Sequence, residues 1–210
     1  ACRNYTDDYW VSFRRHYYAN VAQIDEWVGR IVDAVEDRYG DNSLIIFTAD
    51  HGEMLGHHGL WGKNNCAYEE VWAVPLIAKF PGKPDPWTGR VESSMVTTMD
   101  VTATCTAAAG EADTYANGHE LRSLSAKGGR THVFAEGEGF AAITDGTRKL
   151  VHVRQPGGGG HRAPLVCDEL YDRSVDPAES RNLISDPEYA SIVAELRGIA
   201  VTSMMETLLA

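Results

Sequence analysis

The residues best equipped for chemistry lie in one stretch, Thr48-Ala49-Asp50-His51-Gly52-Glu53-Met54-Leu55-Gly56-His57-His58-Gly59-Leu60-Trp61-Gly62-Lys63. Asp50 offers an anionic oxygen and His51 an imidazole nitrogen, both good donors to a metal. Gly52 lets the backbone turn sharply, so that the two side chains can face one point. Taken singly, an Asp after a strand is often only a helix cap and a His in a turn is often merely exposed. Here three further glycines, two more histidines and a lysine follow by position 63. So polar and glycine-rich a segment beside a buried strand costs stability unless a site needs it.

The elements that must position this stretch can be read on either side of it. Tyr17, Val21, Ile24, Val28, Ile31 and Val35 recur at spacings of 4, 3, 4, 3 and 4, the stripe of an amphipathic helix from Phe13 to Tyr39. Gly40-Asp41-Asn42 ends it, and Leu44-Ile45-Ile46-Phe47-Thr48 reads as a strand covered on both faces. A helix feeding such a strand suggests a parallel α/β sheet, in which ligands bind beyond the carboxyl ends of the strands, where Asp50 and His51 stand. Val74 to Phe80 is expected as a second strand, with Pro75 at its start or on an edge. Asp100 is expected to cap a short helix ending at Ala109, with Gly110 as its stop.

After Ser123 the texture changes to short strand-like pieces, Thr131 to Ala135, Phe140 to Thr144 and Lys149 to Val153, the last two joined by the hairpin turn Asp145-Gly146. This predicts two units, 1–125 and a smaller 126–210 built on an antiparallel sheet. Tyr189, Ile192, Val193, Leu196 and Ile199 mark a terminal helix that packs on the sheet. Pro156-Gly157-Gly158-Gly159-Gly160 reads as a flexible loop; without a following Lys-Ser, Lys-Thr or helix start it is not read as a phosphate cradle.

Composition narrows the partners. Among 210 residues, 19 Lys and Arg stand against 30 Asp and Glu, a net charge of −11 that argues against nucleic-acid binding. With 43% apolar and 23% charged residues the chain is expected to fold around a sizeable core. No apolar run approaches the roughly 18 residues of a membrane span, so no membrane partner is expected. Cys2, Cys66, Cys105 and Cys167 form no Cys-x-x-Cys pair. The compartment stays open, with a soluble cytoplasmic location slightly preferred to a periplasmic or secreted one, and oligomeric state is silent.

Together these residues resemble the sulfatases, a family of the alkaline-phosphatase superfamily. The resemblance rests on Asp50-His51-Gly52, on Gly56-His57-His58-Gly59-Leu60-Trp61-Gly62-Lys63, on Tyr68-Glu69-Glu70 and Val74-Pro75-Leu76-Ile77, and on Tyr18-Ala19-Asn20-Val21-Ala22-Gln23-Ile24-Asp25. It extends to Glu169-Leu170-Tyr171-Asp172, Asp176-Pro177-Ala178-Glu179 and Asn182-Leu183. It implies an α/β fold, part of an alkaline-phosphatase-like mixed sheet flanked by helices, followed by a small antiparallel sheet packed with a C-terminal helix. It also implies that Asp50 and His51 complete a divalent metal site, usually calcium, that Lys63 contacts the substrate sulfate, and that His58 orders the lysine loop. A histidine donor also suits manganese or another transition metal. Cleaving a sulfate ester builds negative charge on the leaving oxygen, which an ammonium and a cation would stabilise. Read alone, Lys63 would be a solvated surface lysine. His57 is expected to be exposed, Trp61 and Trp72 to line a pocket or simply pack, and Glu69 and Glu70 to need no more than a helix N-terminus. Trp72-Ala73 stands where many relatives carry an Arg, and Val101-Thr102-Ala103-Thr104 lacks a proline often found after the Asp; both bear on packing and pocket shape.

The formylglycine nucleophile of the family arises in a Cys/Ser-x-Pro-x-Arg motif, and further metal ligands come from an Asp-Asp pair. None of the four cysteines has Pro two residues on, Ser185-Asp186-Pro187 runs into Glu188-Tyr189, and Asp7-Asp8, with no strand before it, is assigned to the surface. The expectation is an upstream segment that supplies both, and a chain inactive without it. The first reading is hydrolysis of a small-molecule or glycan sulfate ester. A phosphonate monoester or phosphodiester hydrolase of the same superfamily is the second, and a non-catalytic binding module the third.

Overall fold

The computed structural model describes residues 5–63, 66–82, 85–111, 117–154 and 167–209. Helix α1 (Asp7–Tyr39) begins at Thr6, whose hydroxyl accepts from the Tyr9 amide at 3.3 Å, with Asp7 and Asp8 in the first turn where the helix dipole favours anions. It therefore starts six residues before the predicted Phe13, because the cap and not the apolar stripe sets the boundary. Gly40, at φ +57, ends it. No residue of α1 is buried, and Val21, Ile24 and Ile31 of its stripe are exposed.

Strand β1 (Ile45–Thr48) pairs with β2 (Leu76–Lys79), Ile45 opposite Lys79 and Thr48 opposite Leu76. The pair is antiparallel, which corrects the parallel arrangement suggested by the helix–strand order. The intervening chain, which includes helix α2 (Glu69–Trp72), returns without the crossover a parallel partner requires. Pro75 stands just before β2, as its missing N–H demands. Helix α3 (Thr98–Ala108) is capped by Thr97 and not by Asp100; Asp100 is the third helical residue and closes a capping box by accepting from the Thr97 amide at 2.7 Å. Helix α4 (Leu121–Ala126) follows.

The second sheet has the order β3 (Val133–Gly137), β4 (Phe140–Thr144), β5 (Arg148–Val153), β6 (Glu169–Asp172), antiparallel throughout. At the β4–β5 turn Gly146 adopts φ +90 and Asp145 accepts from the Thr147 and Arg148 amides. Every residue of β4 is buried, because the sheet is covered on both faces. On one, Ile143, Leu150 and Leu170 pack with Leu183 and with Val193, Leu196 and Ala200 of helix α5 (Ala190–Leu209), the predicted terminal helix. On the other, Phe140, Ala142 and Val151 pack with Ala67 and Trp72, so Trp72 is a packing residue. Each fully buried Leu or Ile adds about 1.5–3 kcal/mol. The glycine run at 157–160 lies outside the described residues.

Candidate functional site

The chain leaves β1 at Asp50, which is exposed, and turns through half-buried His51. Asp50 Oδ1 accepts from the His51 amide at 2.9 Å, and its Oδ2 lies 3.4 Å from His51 Nε2. His51 Nδ1 is 2.8 Å from the Gly52 carbonyl oxygen. A carbonyl can only accept, so Nδ1 carries the proton, and in its neutral form the ring presents its lone pair at Nε2. Two acceptors 3.4 Å apart repel unless a cation or proton sits against both.

Gly52 fixes where this pair points. Its amide donates to Val71 O at 2.9 Å, and a Cβ added to it would meet Glu70 O at 1.9 Å. The turn is thus pressed onto α2 at a distance only glycine allows. From Glu53 to Gly62 the chain folds back on itself: Met54 N donates to Gly62 O and Gly56 N to Leu60 O, while Glu53 Oε1 accepts from the Leu55 and Gly62 amides. Met54 and Leu60 sink into a small core with Cys66 and Val71. Helix α1 supports the loop from the other side, since Arg14 Nε donates to Leu55 O at 2.8 Å and the Trp10 ring packs under Gly56, which adopts φ +94.

The predicted site residues are distributed unevenly. Asp50 and His51 are together. Lys63 is exposed at the end of the loop, its carbonyl facing Cys66 Sγ at 3.8 Å, and it makes no ion pair with Asp50. His58, exposed and at φ +54, stacks on the Tyr68 ring at 3.8 Å and 11°. His57 is exposed as expected, but its Nδ1 lies 3.1 Å from Glu70 Oε1. Trp61 is exposed. Asp7 and Asp8 are on the surface, in the first turn of α1. Among the described residues no group of three His, Cys, Asp or Glu side chains forms a full metal set. Asp50 and His51 therefore fit part of a coordination sphere.

Sequence reading missed what stands behind α2. Lys149 of β5 is fully buried, with Nζ 2.7 Å from Ala67 O, 3.1 Å from Glu69 Oε2 and 2.6 Å from Glu179 Oε1, the last an ion pair and not a directed hydrogen bond. Glu179, buried and at φ +52, also accepts from the Glu69 amide at 2.9 Å, and Arg173 pairs with Glu69 at 3.1 Å. Glu69 thus does more than face a helix dipole: it ties α2 to the second sheet. The only sequence signal was Asp176-Pro177-Ala178-Glu179, a motif whose spacing does not disclose a buried acid. Beside this cluster the Tyr68 and Tyr171 rings meet at 6.1 Å, and burial pushes both phenols and the Glu169 carboxyl above their ordinary values. Burial likewise raises the Cys66 thiol.

A family model described as Sulfatase matches residues 2–111. The choline-sulfatase of Rhizobium meliloti is 32% identical over 83% of this chain and 33% of its own length. A protein solved in complex with its substrate D-glucosamine-2-N,6-O-disulfate superposes with a TM-score of 0.79 at 26% identity, over 94% of this chain and 41% of that one. The phosphonate monoester hydrolase of Agrobacterium radiobacter gives 0.80 at 25% identity, over 98% and 43%. The chain spans about a third of the length of that curated relative.

Proposed function

Because this chain belongs to the sulfatase family, an α/β fold of the alkaline-phosphatase type, we propose that it carries one side of the active centre of a sulfuric ester hydrolase. In this reading Asp50 Oδ2 and His51 Nε2 hold part of a divalent cation, calcium first and manganese or another transition metal next. The observation that carries it is the 2.8 Å contact from His51 Nδ1 to Gly52 O, which leaves Nε2 aimed at the same point as the aspartate. When bound, the cation supplies positive charge against the sulfate oxygens. Lys63 supplies an ammonium to the oxygen that gains charge as the ester bond breaks. His58, stacked on Tyr68, holds the loop that ends in Lys63.

The formylglycine nucleophile and the remaining ligands are assigned to an upstream segment, and the 210 residues alone are expected to be inactive. The substrate is a small-molecule or glycan sulfate ester, a reading supported by a relative named for choline sulfate and a neighbour holding a sulfated glucosamine. The phosphonate monoester hydrolase neighbour favours a second reading, phosphonate or phosphodiester hydrolysis on the same residues. The test joins the chain to its upstream coding sequence and compares turnover of an aryl sulfate and an aryl phosphonate. Asp50→Asn and Lys63→Ala should each lower the preferred rate by about a hundredfold or more. Undiminished turnover in both variants would overturn the assignment.

A further inference from the structure

A cavity of about 720 Å³ opens between α4, the 127–132 segment and α5, lined in part by His119, Glu120, Ser123, Lys127, Arg130 and His132, and by no residue of the 50–63 loop. Its lining is rich in donors. Lys127 and His119 are exposed and His132 is half-buried with Nδ1 3.1 Å from the Thr131 hydroxyl. Among the described residues Glu120 is the one acid in that lining, and it is already engaged: its Oε1 accepts from the Arg122 amide and its Oε2 from the Ser123 amide, which, against the effect of burial, holds its carboxyl below the usual range.

Arg130 is built in. Its Nη2 donates to Asp100 Oδ1 at 2.6 Å and to Asn117 O at 2.7 Å, and Asp100, fully buried, also accepts from the His119 amide at 2.8 Å. The guanidinium is 13% exposed and fixed in direction, while its Nη1 is buried without a partner. That atom is closed off from the cavity, so the donors that face solvent there are those of Lys127, His119 and His132. A ligand suited to this cavity brings acceptors and negative charge. In a chain of net charge −11 a pocket of that chemistry is not a by-product of composition.

We propose that this cavity binds an oxyanion, a sulfate or phosphate group either free or carried on a sugar-sized ester, at a place separate from the Asp50–His51 site. The ammonium of Lys127 holds the anion, the imidazoles of His119 and His132 supply further donors, and Arg130, tied to Asp100 and Asn117, fixes the wall behind them.

The test titrates the full chain at constant ionic strength with inorganic sulfate, inorganic phosphate and glucose 6-sulfate, following the backbone amide signals of Gly129, Arg130 and Thr131. Saturable shifts with a dissociation constant on the order of 1 mM or below are expected for at least one probe. Saturation by an inorganic ion marks a free-anion site, and saturation by the ester alone an ester site. Lys127→Glu, an exposed change that leaves the fold intact, should weaken binding about tenfold or more by charge repulsion. Lys63→Ala should leave these shifts unchanged, so failure here and failure of the catalytic reading are told apart. Absence of saturation with all three probes, equal binding in Lys127→Glu, or loss in Lys63→Ala would overturn the proposal.

Discussion

Replacing Glu179 by Ala strips Lys149 of the carboxylate 2.6 Å from its ammonium and leaves the Glu69 amide without its 2.9 Å acceptor. Lys149 cannot turn to water, since its side chain is 0% exposed and that of Glu179 only 1%. Breaking a buried pair from one side costs about 3–5 kcal/mol. Lys149 still reaches Glu69 Oε2 at 3.1 Å and donates to Ala67 O at 2.7 Å, which places this case near the lower end, about 3 kcal/mol. Against a total stability of roughly 5–15 kcal/mol that is a large share. Urea unfolding followed by far-UV circular dichroism reads it as a lower midpoint at constant slope. The double variant Lys149→Met with Glu179→Leu should recover most of the loss, because it removes the stranded charge and restores apolar volume. A Glu179→Ala cost below about 1 kcal/mol, or a double variant no better than the single one, would refute the reasoning.

Three other perturbations follow from the same geometry. Gly52→Ala sets a methyl 1.9 Å from Glu70 O, so the turn or α2 must move; a loss of about 2 kcal/mol or more in urea unfolding is expected. At Asp168 burial pushes the carboxyl up, but the Val153 amide, His152 and Arg197 outweigh it and hold the group below its ordinary value. Its stabilisation is therefore complete above about pH 4 and lost as pH falls through the lowered value, and Asp168→Asn should flatten the acid limb of a stability–pH curve. Glu169 has the opposite sign: burial raises its value, so stability falls as pH rises from the ordinary glutamate range through the raised one, and Glu169→Gln should raise the thermal midpoint at pH 7.

What sequence could and could not disclose divides along physical lines. Strand β4, helix α5 and the Asp145-Gly146 turn were legible because periodicity, burial and turn chemistry are local properties. Asp50 and His51 were legible for a related reason, since neighbours in the chain that share a sharp turn stay neighbours in space. The direction of β2 against β1 was not, because an antiparallel return depends on how the loop between them closes through Glu53 and Gly62. The roles of Glu69, Lys149 and Glu179 were hidden because their meeting joins positions 110 and 80 residues apart. A lysine in a strand looks the same in sequence whether it ends in water or in a buried ion cluster. The capping of α3 shows a finer miss, where Thr97 and Asp100 both suit a helix start and only the bond pattern assigns them.

The indole of Trp10 lies flat beneath Gly56, close enough that a single methyl there would strike the ring at 2.9 Å. A fluorophore thus lies under the start of the segment that carries His57, His58 and Lys63. Any event that lifts or settles this segment, whether a ligand arriving or a neighbouring domain closing over it, changes the packing of that indole. With the other four tryptophans replaced by phenylalanine, the emission of Trp10 becomes a built-in gauge of whether the lysine-bearing arm is seated.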